Sequence, residues 1–215
     1  MGQMLLEGVR DTLYMTIFST LLAYLIGMPI GISLVVTGRD GIRPQPMYNK
    51  VMGFAVNVIR SVPFLILMIA IMPYVRIVIG TGIGTSATVA VLVVSAAPFV
   101  ARMVESSIKE VDSGVIEAAR SMGASNLQII RKVMLPEARP SLIIGAAVST
   151  ITILGYSAMA GVVGGGGLGD LAIKYGLYRY ESGIMWVTVI ILVVLVQILQ
   201  SIGSLAAKKL DNRLG

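Results

Sequence analysis

Cysteine and histidine are both missing from the 215 residues. The chain by itself therefore supplies no disulfide scaffold, no Cys/His zinc site, no histidine base and no nucleophile paired with histidine. Charge is scarce as well, at 13% of residues against about 25% in soluble domains, while 56% are hydrophobic. A water-exposed globule with so little polar surface could not cover its own core, so the membrane is the expected solvent. The net charge of +6 would suit nucleic acid in a polar chain, but in one this apolar it reads as loop orientation. No G-x-x-x-x-G-K-[ST] run is present, so the chain has no phosphate loop. Gly164, Gly166 and Gly169 do satisfy G-x-G-x-x-G, but they follow an apolar span rather than a strand, and dinucleotide binding is rejected.

What is present is a series of long uncharged runs: residues 12–36, 77–101, 140–169 and 183–207. A helix of about 20 residues crosses the roughly 30 Å hydrocarbon core, so each run has length to spare. Residues 51–59 and 61–75 are also apolar and only Arg60 separates them, so 52–74 is read as one further span containing that arginine. The expectation is an all-α integral membrane protein forming a single domain over 1–215. Its five transmembrane helices fall at about 12–36, 52–74, 80–101, 140–162 and 184–206, with a polar loop over 102–139. Glu7 and Asp11 precede the first run and no small-residue cleavage site follows a short apolar core, so no cleaved signal is expected.

Arg39, Arg43, Lys50, Arg102, Lys109, Arg120, Arg131, Lys132, Arg139, Lys208, Lys209 and Arg213 fall on one side of this topology, and Arg10, Arg76, Lys174 and Arg179 on the other. The richer side is expected in the cytoplasm, which puts the N-terminus outside and the C-terminus inside. Arg60 has two readings, a cation snorkelling to the cytoplasmic interface or one facing a water-filled vestibule. Gly27-x-x-x-Gly31 and Gly145-x-x-x-Ser149 allow close helix approach, and Pro29, Pro63 and Pro98 interrupt backbone hydrogen bonding in three spans.

The 102–139 loop reads as two short helices. In the first, Ser113 is the expected N-cap, Glu117 lies in the first turn and Gly123 is the stop. The second is expected from about Ser125 to Leu135, ended by Pro136. These residues spell Glu117-Ala118-Ala119, three residues, Gly123, nine residues, then Val133-Met134-Leu135-Pro136. The run resembles the EAA-x3-G-x9-I-x-L-P loop of permease subunits of bacterial type I ABC importers, with Val133 in place of isoleucine. Two adjacent alanines make a helix face thin enough to enter a cleft on a partner, and Gly123 permits the sharp turn that presents it.

The resemblance extends over about residues 9–206. Arg60-Ser61-Val62-Pro63-Phe64, Ala96-Ala97-Pro98-Phe99 and Gly155-Tyr156-Ser157-Ala158-Met159 are similar to the methionine importer permeases. It implies the type I ABC importer permease fold in a bacterial inner membrane, and a non-catalytic subunit that binds no cofactor itself. The implied partners are a second copy, two ATPase subunits that carry ATP and Mg, and an extracytoplasmic methionine-binding protein. Glu117, Ala118, Ala119, Gly123, Val133, Leu135 and Pro136 then contact the ATPase, and L-methionine, with D-methionine as further cargo, is imported.

For the pathway the candidates are Tyr156, Ser157 and Met159, with Ser61 and Arg60 behind them. A zwitterion with an apolar tail needs some polar groups but no deep well, and a thioether seals a gate adaptably. For Met159 plain helix packing is the equal alternative. The outer segment 161–182 is expected to form a short interfacial helix, with or without the binding protein as its partner. A permease of this type for another amino acid or an osmolyte stays open, since the loop reads the ATPase and not the cargo. An ion-gradient transporter is disfavoured because no Asp or Glu lies in any of the five spans, and a membrane enzyme because no acid–base pair is assembled.

Overall fold

A computed structural model describes residues 1–210, and every element among them is helical. The first run gives α1 (Gly2–Val36), which carries Pro29 without a break in its 35 residues. Residues 52–74 are helical too, but not straight. α2 (Pro46–Ser61) and α3 (Phe64–Ile79) meet at 105°. Pro63 causes the bend: it has no N–H to continue the ladder and drives the preceding residue out of the helical region, and Val62 is extended at φ −83°, ψ 125°. Each arm is 16 residues, too short to cross a membrane alone.

α4 (Thr85–Lys109) begins later than expected and runs well into the segment read as loop. The expected loop then folds as α5 (Ser113–Ser121), α6 (Asn126–Ile129), a wide π-helical turn over Ile130–Met134 and α7 (Leu135–Glu137). α8 (Arg139–Met159) returns through the bundle. A one-turn 3-10 segment and glycines 164–167 lead to α9 (Gly167–Leu171), a second π-helical stretch over Ala172–Leu177, and the long α10 (Ser182–Leu210). Among the described residues four stretches are long and apolar enough to cross a membrane, and the bent pair α2–α3 makes a fifth if its two arms count as one span.

The centre of the bundle is the seam between α1 and α4. A Cβ on Gly27 would stand 2.6 Å from the Ala97 carbonyl oxygen, and one on Gly31 2.5 Å from that of Ala101, so hydrogen at these positions is what lets the two backbones touch. Met15, Ala23, Leu92, Val100 and Val104 fill the space around them. Gly145 makes only ordinary contacts with Met103 and Ser107, while Ser149 is fully buried beside Tyr24.

The bundle has two unlike ends. At the glycine end, the Gly84 amide donates to the Gly164 carbonyl at 3.1 Å and the Leu168 amide to Thr12 Oγ1 at 2.8 Å. This end holds the start of α1 and of α10. The short helix expected over 161–182 is only the five residues of α9, and Gly167, Leu168, Gly169 and Asp170 are buried in the bundle instead of lying on a surface. At the loop end, Asn49 donates to the Leu34 carbonyl and to Thr37, and Val111 is buried under α5. Arg39 through Lys209 of the basic set lie on elements of the loop end; Arg213 lies outside the described residues. The two ends of the described chain therefore sit at opposite ends of the bundle.

Candidate functional site

The loop end presents α5 on a short, well-specified mount. Its N-cap is Asp112 rather than Ser113, because the Asp112 carboxylate accepts from the Gly114 amide at 2.7 Å. Starting there, the helix places Glu117 past its first turn, so the carboxylate is displayed on the helix side and does not cap its start. Gly123 adopts φ +79°, and the Ala124 amide then reaches back to the Ala119 carbonyl at 3.1 Å. A side chain would strain that turn, which is why glycine ends the helix.

A capping box follows at once. Ser125 accepts from the Gln128 amide while Gln128 accepts from the Ser125 amide. The second helix starts as expected but does not stop at Pro136. Proline falls in the first turn of α7, where its missing N–H costs nothing, and the chain runs on to Glu137 and into α8. Ile129, Met134 and Ala138 are buried, so this stretch is the root that fixes α5 against the bundle.

The two alanines of the motif separate in role. Ala119 is buried against the bundle, whereas Glu117, Ala118 and Gly123 are exposed. Val133, Leu135 and Pro136 are half-buried in the root. Val115, Met122 and Leu127 are exposed large apolar side chains close by, and with Ala118 they make an unpartnered apolar patch. The motif alone does not single them out; their signal is the i, i+3, i+7 spacing of 115, 118 and 122 on one helix face. Glu117 and Arg120 also line a cleft of about 570 Å³ with Arg39, Asp40, Glu105 and Lys109, so the helix borders the α1–α2 turn as well as free surface.

A second feature lies deeper, at the α2–α3 bend. Arg60, Phe64, Ser95, Phe99 and Tyr156 line a cleft of about 230 Å³. The Phe64 and Tyr156 rings stack with centroids 4.4 Å apart and planes 1° from parallel, and the Arg60 guanidinium carbon stands 5.9 Å from the Phe99 centroid. Of the residues expected along a pathway, the bend brings Arg60 and Tyr156 together. Ser61 is exposed but donates its hydroxyl to the Asn57 carbonyl at 2.8 Å. Ser157 is turned into the core, 1% exposed, and donates to the Leu154 carbonyl. It follows Tyr156 on a helix, so it points about 100° away from its neighbour. Met159 lies on another exposed stripe of α8 with Ile144, Val148 and Gly155.

One ion-pair network links the two features. Arg102 of α4 donates to the Gly53 carbonyl at 3.0 Å and to Asn57 Oδ1 at 2.8 Å, both on α2. Its other nitrogen holds Glu105 Oε2 at 2.5 Å, and Lys109 holds Oε1 at 2.8 Å. Glu105 is 7% exposed and its charge is met from both sides. The arm of α2 that leads to the bend is thus tied to the end of α4 that carries α5.

The sequence pattern of binding-protein-dependent transport system inner membrane components matches residues 27–213. The chain belongs to this family. A relative in Vibrio cholerae named as a probable D-methionine transport system permease protein MetI is 49% identical over 212 residues, covering 99% of this chain and 94% of the relative. The Escherichia coli K12 protein named as the D-methionine transport system permease MetI is 45% identical over 158 residues, covering 74% of this chain and 73% of the relative. Among solved structures, an inward-facing conformation of the MetNI methionine ABC transporter superposes with a TM-score of 0.96 at 41% identity, covering 98% of this chain and 97% of that one. An amino acid ABC transporter crystallised with histidines has a TM-score of 0.80 at 23% identity, which supports the shared fold alone.

Membership makes the chain a permease subunit of an ABC transporter with the type I importer fold. The Arg102 hydrogen bonds and ion pairs connect the α2 arm of the bend to the end of α4 that carries α5.

Proposed function

We propose that this chain is the membrane permease subunit of an ATP-driven importer that moves methionine, in its L and D forms, into the cytoplasm. The observation that carries the reading is the Glu117-Ala118-Ala119 helix, held exposed by a buried root at the end of the bundle where basic residues gather. The names of the relatives support methionine as cargo.

The loop end faces the cytoplasm, the N-terminus lies outside, and one transmembrane domain covers about residues 9–206. Two ATPase subunits bind and hydrolyse ATP with Mg, and the permease takes no part in that chemistry. Val115, Ala118, Met122 and Leu127 dock into the ATPase, and Glu117 and Gly123 set the angle. A second copy packs on the exposed stripe of α8, which puts Met159 near the two-fold axis as a gate. An extracytoplasmic methionine-binding protein delivers cargo at the glycine end.

The test is uptake of labelled L-methionine into vesicles that contain permease, ATPase and binding protein. ATP-dependent uptake, competed by D-methionine and not by other amino acids, is expected. Equal competition by an unrelated amino acid would move the cargo elsewhere, and a permease that purifies without an ATPase would remove the proposed ATPase partnership. Met159→Trp should block flux with the ATPase still bound.

A further inference from the structure

Arg60 is an arginine with no protein partner to explain it. Among the described residues its guanidinium makes no ion pair or hydrogen bond, and its one recorded contact is the Phe99 ring. Phe99 precedes the charged network that starts at Arg102 by only three residues, about 4.5 Å of helix rise, so Arg60 sits toward the loop end of the span. Its guanidinium does not join that network: it lies 5.9 Å from the Phe99 centroid and lines the cleft at the bend.

The surroundings of Arg60 share one chemical sense. α3 starts at Phe64 with no side chain capping it, so its first-turn N–H groups and the positive end of its dipole border the same cleft. Ser95 and the phenol of Tyr156 are the other polar side chains in the lining, and the Ser95 hydroxyl is donated to the Val91 carbonyl. The walls are Ile59, Val62, Leu67 and the stacked Phe64–Tyr156 pair. A cation, an uncapped helix start and aromatic walls suit a small carboxylate that carries an apolar tail.

We propose that this cleft is a transient subsite for the α-carboxylate of the transported amino acid, with Arg60 as its partner and the thioether against Phe64 and Tyr156. The proposal rests on the importer reading above and adds the group that the pathway recognises. No Asp or Glu lines the cleft, so the substrate ammonium is not held there. Holding the carboxylate and the tail alone leaves the stereocentre free, and the subsite accepts L- and D-methionine alike. Arg60 is exposed and not enclosed by the cleft, so the hold is weak, as release toward the cytoplasm requires.

The absence of native cysteine makes Val62→Cys, a half-buried lining position, a unique label on the permease. The permease–ATPase complex without binding protein is treated with an anionic methanethiosulfonate, and modification of the permease band is timed. Millimolar L-methionine or D-methionine should each slow labelling about threefold, as a site two-thirds occupied would, while L-methioninamide, lacking the carboxylate, should not. Adding Arg60→Gln should abolish protection and lower the anionic reagent's rate about tenfold relative to a cationic one, whereas Arg60→Lys should keep both. Protection by the amide equal to that by methionine, protection surviving in Arg60→Gln, or no protection by methionine would each overturn the subsite. Uptake by the wild-type complex is read separately. Failed uptake would remove the importer reading, and normal uptake with an unprotected Val62→Cys thiol would remove the subsite alone.

Discussion

The α1–α4 seam and the α2–α3 pair are both helix packing, yet they are held by opposite means. Along the seam, Gly27 and Gly31 bring backbone against backbone, and neither position has room for a methyl group. The bent pair buries only Val56 from α2 and Phe64, Met68 and Val75 from α3. It is fastened by a few discrete anchors: Asn49 on Leu34 and Thr37, Arg102 on Gly53 and Asn57, and Phe64 on Tyr156. A continuous close-packed seam has one arrangement, since every shift opens voids or clashes. A pair held by separable anchors can open locally at small cost. The cleft with Arg60 lies in the second region, and the rigid seam is what it opens against.

Filling the seam should have the largest effect. Gly31→Leu would force a side chain into the Ala101 carbonyl and Val104, and a loss of about 3 kcal/mol is expected. Thermal unfolding in detergent should show the drop, with uptake lost because little folded permease remains. Gly123→Pro should do something different. At φ +79° proline cannot follow the chain, so α5 is presented wrongly while the bundle stays whole. Uptake should fall by more than about tenfold, as for a lost docking geometry, with membrane insertion and unfolding temperature little changed. If Gly123→Pro also unfolds the bundle, the loop end belongs with the seam and not with a separable surface.

Much of this division is legible in the sequence, and the part that is not has a local cause. The long uncharged runs locate α1, α4, α8 and α10, because a membrane helix needs little beyond length and apolarity. Pro63 marks where hydrogen bonding fails, but the 105° bend depends on how α3 then packs on α4 and Tyr156, which no local pattern encodes. In the same way the glutamate–alanine motif marks the loop without dividing it. Ala118 and Ala119 are identical in sequence, and only the root beneath α5 decides that one is exposed and the other buried. Ser157 looks as suitable as Tyr156 for a pathway until helix rotation turns it into the core. Asp112 displaced Ser113 as the cap because both residues are good caps and only the chain's entry angle chooses.

Arg102→Gln tests whether the fastening of α2 matters to more than stability. Asn57 and the Gly53 carbonyl would lose their donor, and the buried Glu105 would keep only Lys109. A destabilisation of about 2 kcal/mol is expected, since one of two compensating charges remains. If the clamp carries motion from α5 to the bend, ATP should still be hydrolysed while the methionine moved per ATP falls several-fold. An unchanged ratio would mean that Arg102 only holds the helix in place and that coupling runs through the α1–α4 seam.

The smallest effect is expected at the aromatic anchor, and it is the most discriminating. Phe64→Leu and Tyr156→Leu each keep an apolar side chain, so each should cost only about 1 kcal/mol beyond the change in buried area. The informative quantity is their coupling. Rings 4.4 Å apart and parallel should give a double-mutant interaction energy of about 1 kcal/mol if α3 rests on α8 for most of the time. If the bent pair spends much of its time swung away, the interaction energy falls toward zero. Saturating methionine should then raise the coupling, because a substrate held between Arg60 and the aromatic walls favours the closed arrangement. A full-strength coupling that methionine leaves unchanged would place the α2–α3 pair beside the seam as a fixed wall, and the moving element would have to be sought in α8 and its exposed stripe.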